Sequence, residues 1–133
     1  MKGTRIFTLG WLVVAISSAA LAQSTDVSRV IDQALNAALQ PLNAWRGCLF
    51  KFASGAAPAN PEPAAAIATA ALAACLTFEN EAFVALSSFR PPAASSVEAA
   101  TWKKFVGDDL WPTMRKNLED QTTAAAMAAR AAR

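Results

Sequence analysis

The chain predicts an all-α fold: a disulfide-stapled antiparallel helical hairpin with one or two C-terminal helices packed on it, a small helical bundle. Three observations predict it. Apolar residues recur at spacings of three and four, the period of an amphipathic helix, and no strand-like alternation occurs. Alanine, the best helix former, dominates the composition. The only two cysteines, Cys48 and Cys75, lie symmetrically about a proline-rich stretch at 57–63, and their midpoint falls between Pro61 and Glu62. Helices that reverse direction there bring the two sulfurs together.

The N-terminus predicts a secretory signal peptide over residues 1–22. Lys2 and Arg5 form a basic start, Ile6 to Ile16 is an apolar run, and Ala20-Leu21-Ala22 is the small-x-small pattern that signal peptidase accepts. Cleavage is expected between Ala22 and Gln23. The apolar run is too short for a membrane span, which needs about 20 residues, so no stable membrane insertion is expected after cleavage. No cysteine follows the run and no paired arginines precede it, which argues against lipoprotein and twin-arginine signals.

Removing this segment changes the charge balance. Twelve basic residues less Lys2 and Arg5 leave ten, against ten acidic residues. The basic groups are scattered, so no nucleic-acid partner is expected. The 133 residues less a signal of 22 leave about 111, the size of one helical domain spanning 23–133. An even cysteine pair in an exported chain is expected to be bridged. The sulfurs are too far apart in sequence for a Cys-x-x-Cys redox centre, so the bridge reads as a structural staple. The predicted location is the periplasm or the medium.

The elements follow in order. Ser24-Thr25-Asp26 offers N-cap candidates. Val27, Ile31, Ala34, Ala38, Leu42, Trp45, Leu49 and Phe52 form the stripe of a first helix, with a kink or short break expected at Pro41 and Gly55 as its closing residue. A second helix is expected from N-cap Asn60 and Pro61, with stripe Ala68, Leu72, Cys75, Phe78, Ala82, Phe83 and Leu86, ending at Arg90-Pro91-Pro92. In an antiparallel pair in this register, Trp45 faces Phe78. Ser95-Ser96-Val97-Glu98 has the pattern of a capping box. It opens a third helix bearing Trp102, Phe105 and Val106. Gly107 reads as its end and Asp109 as the N-cap of a fourth helix, which carries Trp111, Met114 and Leu118. One long kinked helix over 96–130 is the alternative. Arg115 with Glu119 and Lys116 with Asp120 are i,i+4 pairs. The alanine-rich segment 124–133 reads as a frayed helix end.

The common catalytic schemes lack their parts. There is no histidine to bind metal or to act as base for a serine, and no glycine-rich phosphate loop. No cofactor and no metal site is expected. Glu79 follows Cys75 by four residues and shares its helix face near Trp45 and Arg46. A carboxylate there is a candidate general acid, and more simply a partner for an indole N–H or an arginine. Trp45, Glu79, Trp102 and Trp111 are the candidate binding surface if they are exposed. The large apolar stripes of the hairpin need cover, however, and Trp102 and Trp111 are expected to supply it.

Trp45-Arg46-Gly47-Cys48, then a Pro/Ala turn, then Ala71-x-x-x-Cys75-x-x-x-Glu79, resembles a pattern in uncharacterised small exported helical proteins of proteobacteria. The resemblance covers about 42–86. It implies a helical hairpin with one disulfide and brings no activity. The functional expectation is a non-enzymatic binding or interaction module of the bacterial envelope, with an envelope protein or a small ligand as partner. The alternatives are a periplasmic stress-protective, chaperone-like protein, or a small hydrolase using Glu79 and a second carboxylate.

Intact mass of protein recovered from periplasm or medium tests export. The expected species begins at Gln23, and a mass that still includes Met1 to Ala22 refutes cleavage.

Overall fold

The computed structural model describes residues 26–132, and every regular element among them is helical. The predicted signal segment, Ala22 and Gln23 lie outside the described residues. Helix α1 spans 26–37. It is followed by α2 (Leu39–Ala56), α3 (Ala64–Ala74), α4 (Leu76–Ser87), α5 (Ala99–Phe105), one π-helical turn (Val106–Leu110) and α6 (Trp111–Ala131). The small all-α bundle is as expected. Helices α2 and α3 form the hairpin around 57–63, and α6 packs along both of them.

The helix breaks have identifiable causes. Pro41 has no N–H to give the carbonyl of Ala37, and its ring crowds that oxygen. The chain responds one turn earlier: Ala38 leaves helical geometry at φ −98°, ψ 12° and separates α1 from α2. The expected break at Pro41 is therefore real, displaced to Ala38. Helix α2 continues through Gly55 to Ala56, and no described glycine has positive φ. Gly55 is not the closing residue.

The second helix departs from expectation at its start, middle and end. Asn60 does not cap it. Its side-chain oxygen instead accepts from the N–H of Glu62 at 2.9 Å, closing a turn, and Glu62 precedes a proline, which disfavours helical geometry. Pro63 at ψ 147° is the last extended residue before α3. The helix then breaks at Cys75 (φ −100°, ψ 17°), and α3 and α4 are bent by 68°. Beyond the bend Glu79, Ala82 and Leu86 are buried and Phe78 is 41% exposed. Trp45 therefore does not pack on Phe78. The helix ends at Ser87, before the prolines. No single helix among the described residues is long and apolar enough to cross a membrane.

At the C-terminal side the structure takes the alternative of one long helix. Residues 99–131 are helical without interruption, and Phe105, Val106, Leu110 and Trp111 all keep right-handed helical angles. Gly107 does not end a helix and Asp109 does not cap one. The irregularity is the π turn, in which the N–H of Trp111 donates to the carbonyl of Val106. Pro112 explains its position: it cannot donate to Asp108 and would crowd that carbonyl in a regular α-helix, so a widened turn precedes it. The capping box is not formed either. Glu98 takes the N-cap position without a side-chain cap, and Ser96 reaches across to Asp26.

Two buried clusters result among the described residues. The larger contains Val30, Trp45, Leu49, Leu72, Cys75, Leu86, Trp102, Val106 and Trp111, with buried alanines between them. The smaller is Ala53, Ala57, Ile67 and Ala126. The end of α6 is not frayed. Ala126 is fully buried, and Arg130 donates from Nε to the carbonyl of Ala57 at 3.2 Å and from a terminal nitrogen to Asn60 at 2.7 Å and to Glu62. One guanidinium thus satisfies carbonyls at the end of α2 and across the hairpin turn, where helix ends leave them without partners. Arg130→Ala is expected to lower unfolding free energy by about 1–3 kcal/mol and to raise amide exchange across 57–63. Exchange unchanged there would show that the latch is dispensable.

Candidate functional site

Cys48 and Cys75 are bridged, with Cα atoms 6.0 Å apart, within the usual range for a disulfide. Cys75 is fully buried and Cys48 half-buried. The bridge ties the middle of α2 to the elbow between α3 and α4.

The four residues of the candidate surface lie in the core. Trp45 is completely buried and stacks on Trp111, with ring centroids 5.0 Å apart and planes 13° apart. Phe83 meets the Trp111 ring edge-on at 5.2 Å. Trp102 is 1% exposed and Trp111 8% exposed, so both dock against the hairpin as the uncovered apolar stripes require. They form a core wall, and Trp45, Trp102 and Trp111 do not present an exposed binding face.

Glu79 is the only buried carboxylate among the described residues. Its Oε1 accepts from Arg115 Nε at 3.1 Å. The pairing with an arginine is as expected, but the arginine comes from α6 and not from α2. Arg46 instead lies over the Phe50 ring, 5.1 Å from its centroid. Arg115 is thereby drawn away from Glu119, while Lys116 and Asp120 do form their i,i+4 pair at 2.7 Å. This places the Glu79–Arg115 pair as a tie between α4 and α6.

The two buried indoles differ in their polar end. Trp102 Nε1 donates to the carbonyl of Leu86 at 2.9 Å, an oxygen at the end of α4 that also accepts from the N–H of Phe89 at 3.3 Å. Trp45 Nε1 has no partner. With its N–H engaged, Trp102 presents a purely apolar ring, and Phe89 and Phe105 pack against it at 6.0 and 5.8 Å.

Beside that ring opens an apolar cleft of about 150 Å³, lined by Val27, Val30, Val97, Thr101, Trp102 and Phe105. Three segments build it: the start of α1, the loop before α5, and α5 itself. Their approach is held by Asp26, whose Oδ2 accepts from the N–H of Ser96 at 2.8 Å and from its hydroxyl at 2.5 Å. Asp26 immediately precedes Val27 and Ser96 precedes Val97, so this polar clasp lies beside two residues of the cleft wall. The hydrogen bonds from Ser96, assisted by Arg29, hold the Asp26 carboxyl below its ordinary pKa. A carboxyl with a depressed folded-state pKa contributes its stabilisation above the ordinary aspartate range and loses it as pH falls through the lowered value. A second, more polar groove of about 220 Å³ lies between α2 and α6, lined by Leu42, Asn43, Arg46, Met114, Asn117, Leu118 and Gln121.

The cleft and its clasp are the site features that sequence reasoning missed. Trp102 and Phe105 were legible as an apolar face, and Asp26 and Ser96 as polar residues near helix starts. Their meeting across a separation of 70 residues has no local signal. Among the described residues, no group of three or more potential ligands is placed to hold a metal ion. Comparison with protein-family models, with curated proteins and with solved structures found no match to this chain.

Replacing each buried tryptophan by phenylalanine distinguishes their roles. Both changes leave a similar void, but Trp102→Phe also removes a donor from the Leu86 carbonyl, whereas Trp45→Phe removes an unpartnered N–H. Trp102→Phe is expected to be the more destabilising by about 1 kcal/mol in denaturant unfolding. Equal costs would contradict the role of the Leu86 hydrogen bond.

Proposed function

We infer that the protein is an exported, non-enzymatic binding module of the bacterial envelope that receives a small apolar group in the cleft beside Trp102. The cleft carries this reading. Its walls offer aliphatic and aromatic carbon, and the one indole N–H nearby is already engaged by Leu86. Apolar cavities of roughly 150 Å³ are large enough for a benzene-sized guest. The partner chemistry is therefore a single ring or a short branched chain, either free or as the side chain of an envelope protein. The disulfide is consistent with an oxidising, exported location.

Glu79 is engaged by Arg115, and no second carboxylate is buried beside it among the described residues. This favours binding over the two-carboxylate hydrolase.

Titration of the folded protein with toluene, followed by amide and indole NMR shifts, tests the reading. Saturable shifts are expected at Val30, Val97, Thr101, Trp102 and Phe105, and Val97→Trp, which fills the cleft from its rim, is expected to abolish them. Shifts that are absent, or spread evenly over the surface, would refute a binding cleft at this position.

A further inference from the structure

The bend between α3 and α4 has no local cause in the residues that form it. Residues 64–87 contain neither glycine nor proline, and alanine and other good helix formers dominate them. Sharp helix kinks elsewhere in proteins trace to proline, to glycine or serine pairs, to an inserted π turn, or to a side chain or water inserted into the ladder, and among the described residues no side chain hydrogen-bonds to the ladder at this elbow. The other two helix irregularities among the described residues obey that rule, with Pro41 behind Ala38 and Pro112 behind the π turn. The buried stripe gives no reason for a bend either. Ile67, Ala68, Ala71, Leu72, Cys75, Glu79, Ala82 and Leu86 keep spacings of one, three and four straight through the break, the register of a single uninterrupted helix. One thing does distinguish the elbow: residue 75 is the half-cystine bonded to Cys48 in the middle of α2.

We propose that the Cys48–Cys75 bond sets the 68° elbow, and that its reduction lets α3 and α4 merge into one straight helix over 64–87. The bond is a redox-controlled joint as well as a staple. The reductant is a dithiol. One of its thiolates attacks the half-buried Cys48 sulfur and expels the Cys75 thiolate, which takes up a proton. The second thiol then displaces Cys48. The dithiol gives up two electrons and two protons and closes to a cyclic disulfide, while Cys48 and Cys75 become thiols. With the tether gone, residue 75 is free to adopt helical angles, and it keeps the two ladder bonds it already makes, from its N–H to the carbonyl of Ala71 at 2.9 Å and from the N–H of Glu79 to its own carbonyl at 3.0 Å. The merged helix has 11 residues from α3, Cys75, and 12 from α4, a rod of roughly 36 Å. Because α4 carries Leu86, the acceptor for Trp102, straightening also moves the wall against which Trp102 rests.

Pulsed electron spin resonance between labels at Ala65 and Val84 measures the joint. Both sites are exposed, and ketone-bearing non-natural residues carry the labels, so the native cysteines stay intact. From the helical rise, the two backbone positions are about 24 Å apart across the elbow and about 29 Å apart in a straight helix. The oxidised protein is expected to give the shorter distance. Protein treated with dithiothreitol and a Cys48→Ala, Cys75→Ala double variant are both expected to lengthen by about 5 Å, the difference between those two geometries, while keeping their far-ultraviolet helical signal. An unchanged distance in either sample would overturn the proposal by showing that packing alone sets the bend. Loss of the helical signal on reduction and in the double variant would overturn it too, because the bond would then hold the fold together and not an angle within it.

Discussion

The point where α2 meets the α3–α4 elbow is the constraint on which the other elements depend. A disulfide there fixes two backbones 6.0 Å apart at their Cα atoms. Large side chains on the facing surfaces would collide at such an approach, and Ala71, one turn before Cys75, is fully buried beside the bridge. Once α2 and α3 are held this closely, the bend at Cys75 sends α4 away from α3 and opens the space into which Trp111 inserts between Trp45 and Phe83. Closing a loop with this separation of 27 residues also restricts the unfolded chain, by roughly 3.5 kcal/mol in the chain-entropy model.

Local chemistry made much of the fold legible. The turn at 57–63, the hairpin and the bridge follow from proline placement and cysteine symmetry. The burial of Trp102 and Trp111 follows from the need to cover two apolar stripes with the only large apolar groups left. What was not legible arises where one residue's constraint is relieved at another position. Pro41 acts through Ala38 and Pro112 through the turn before it, because a missing N–H and a crowded carbonyl concern the residue four places earlier. The bend at Cys75 depends on a covalent partner distant in sequence, Cys48. Beyond that bend Phe78 is 41% exposed, where the apolar stripe predicted it buried.

The candidate site shows the same division. Single residues were recognisable, but their partners were not. Glu79 carried the expectation of an arginine, and the one that arrives is Arg115 of α6, which packs along α2 and α3 and reaches α4 through this side chain. Asp26 and Ser96 both belong to patterns that suit helix capping, and they bond each other instead, since the side chain of one satisfies the backbone and hydroxyl of the other. An Arg near the C-terminus of an alanine-rich tail has no sequence feature that separates a fraying end from a docked one. Only the orphan carbonyls at the hairpin turn give Arg130 its role.

The two buried clusters solve different packing problems, and the cleft lies beside the larger one. At the hairpin-turn end the core is Ala53, Ala57, Ile67 and Ala126. Alanine faces approach closely but remove little apolar area from water, so hydrophobic burial there is weak, and the Arg130 hydrogen bonds supply specific attachment. The larger cluster mixes aliphatic residues with three buried indoles, and partly buried phenylalanines pack against it. Large rigid rings bury much more area per residue, but they do not fill irregular space as short aliphatic chains do. Trp102 is fixed in orientation by its bond to Leu86, with Phe89 and Phe105 packed against it, and the valines of α1 and of the loop before α5 line the cleft beside it. The gap lined by Val27, Val30 and Val97 lies beside that fixed ring. The ring-bearing cluster thus has, at its edge, the apolar opening that a guest of ring size would fill.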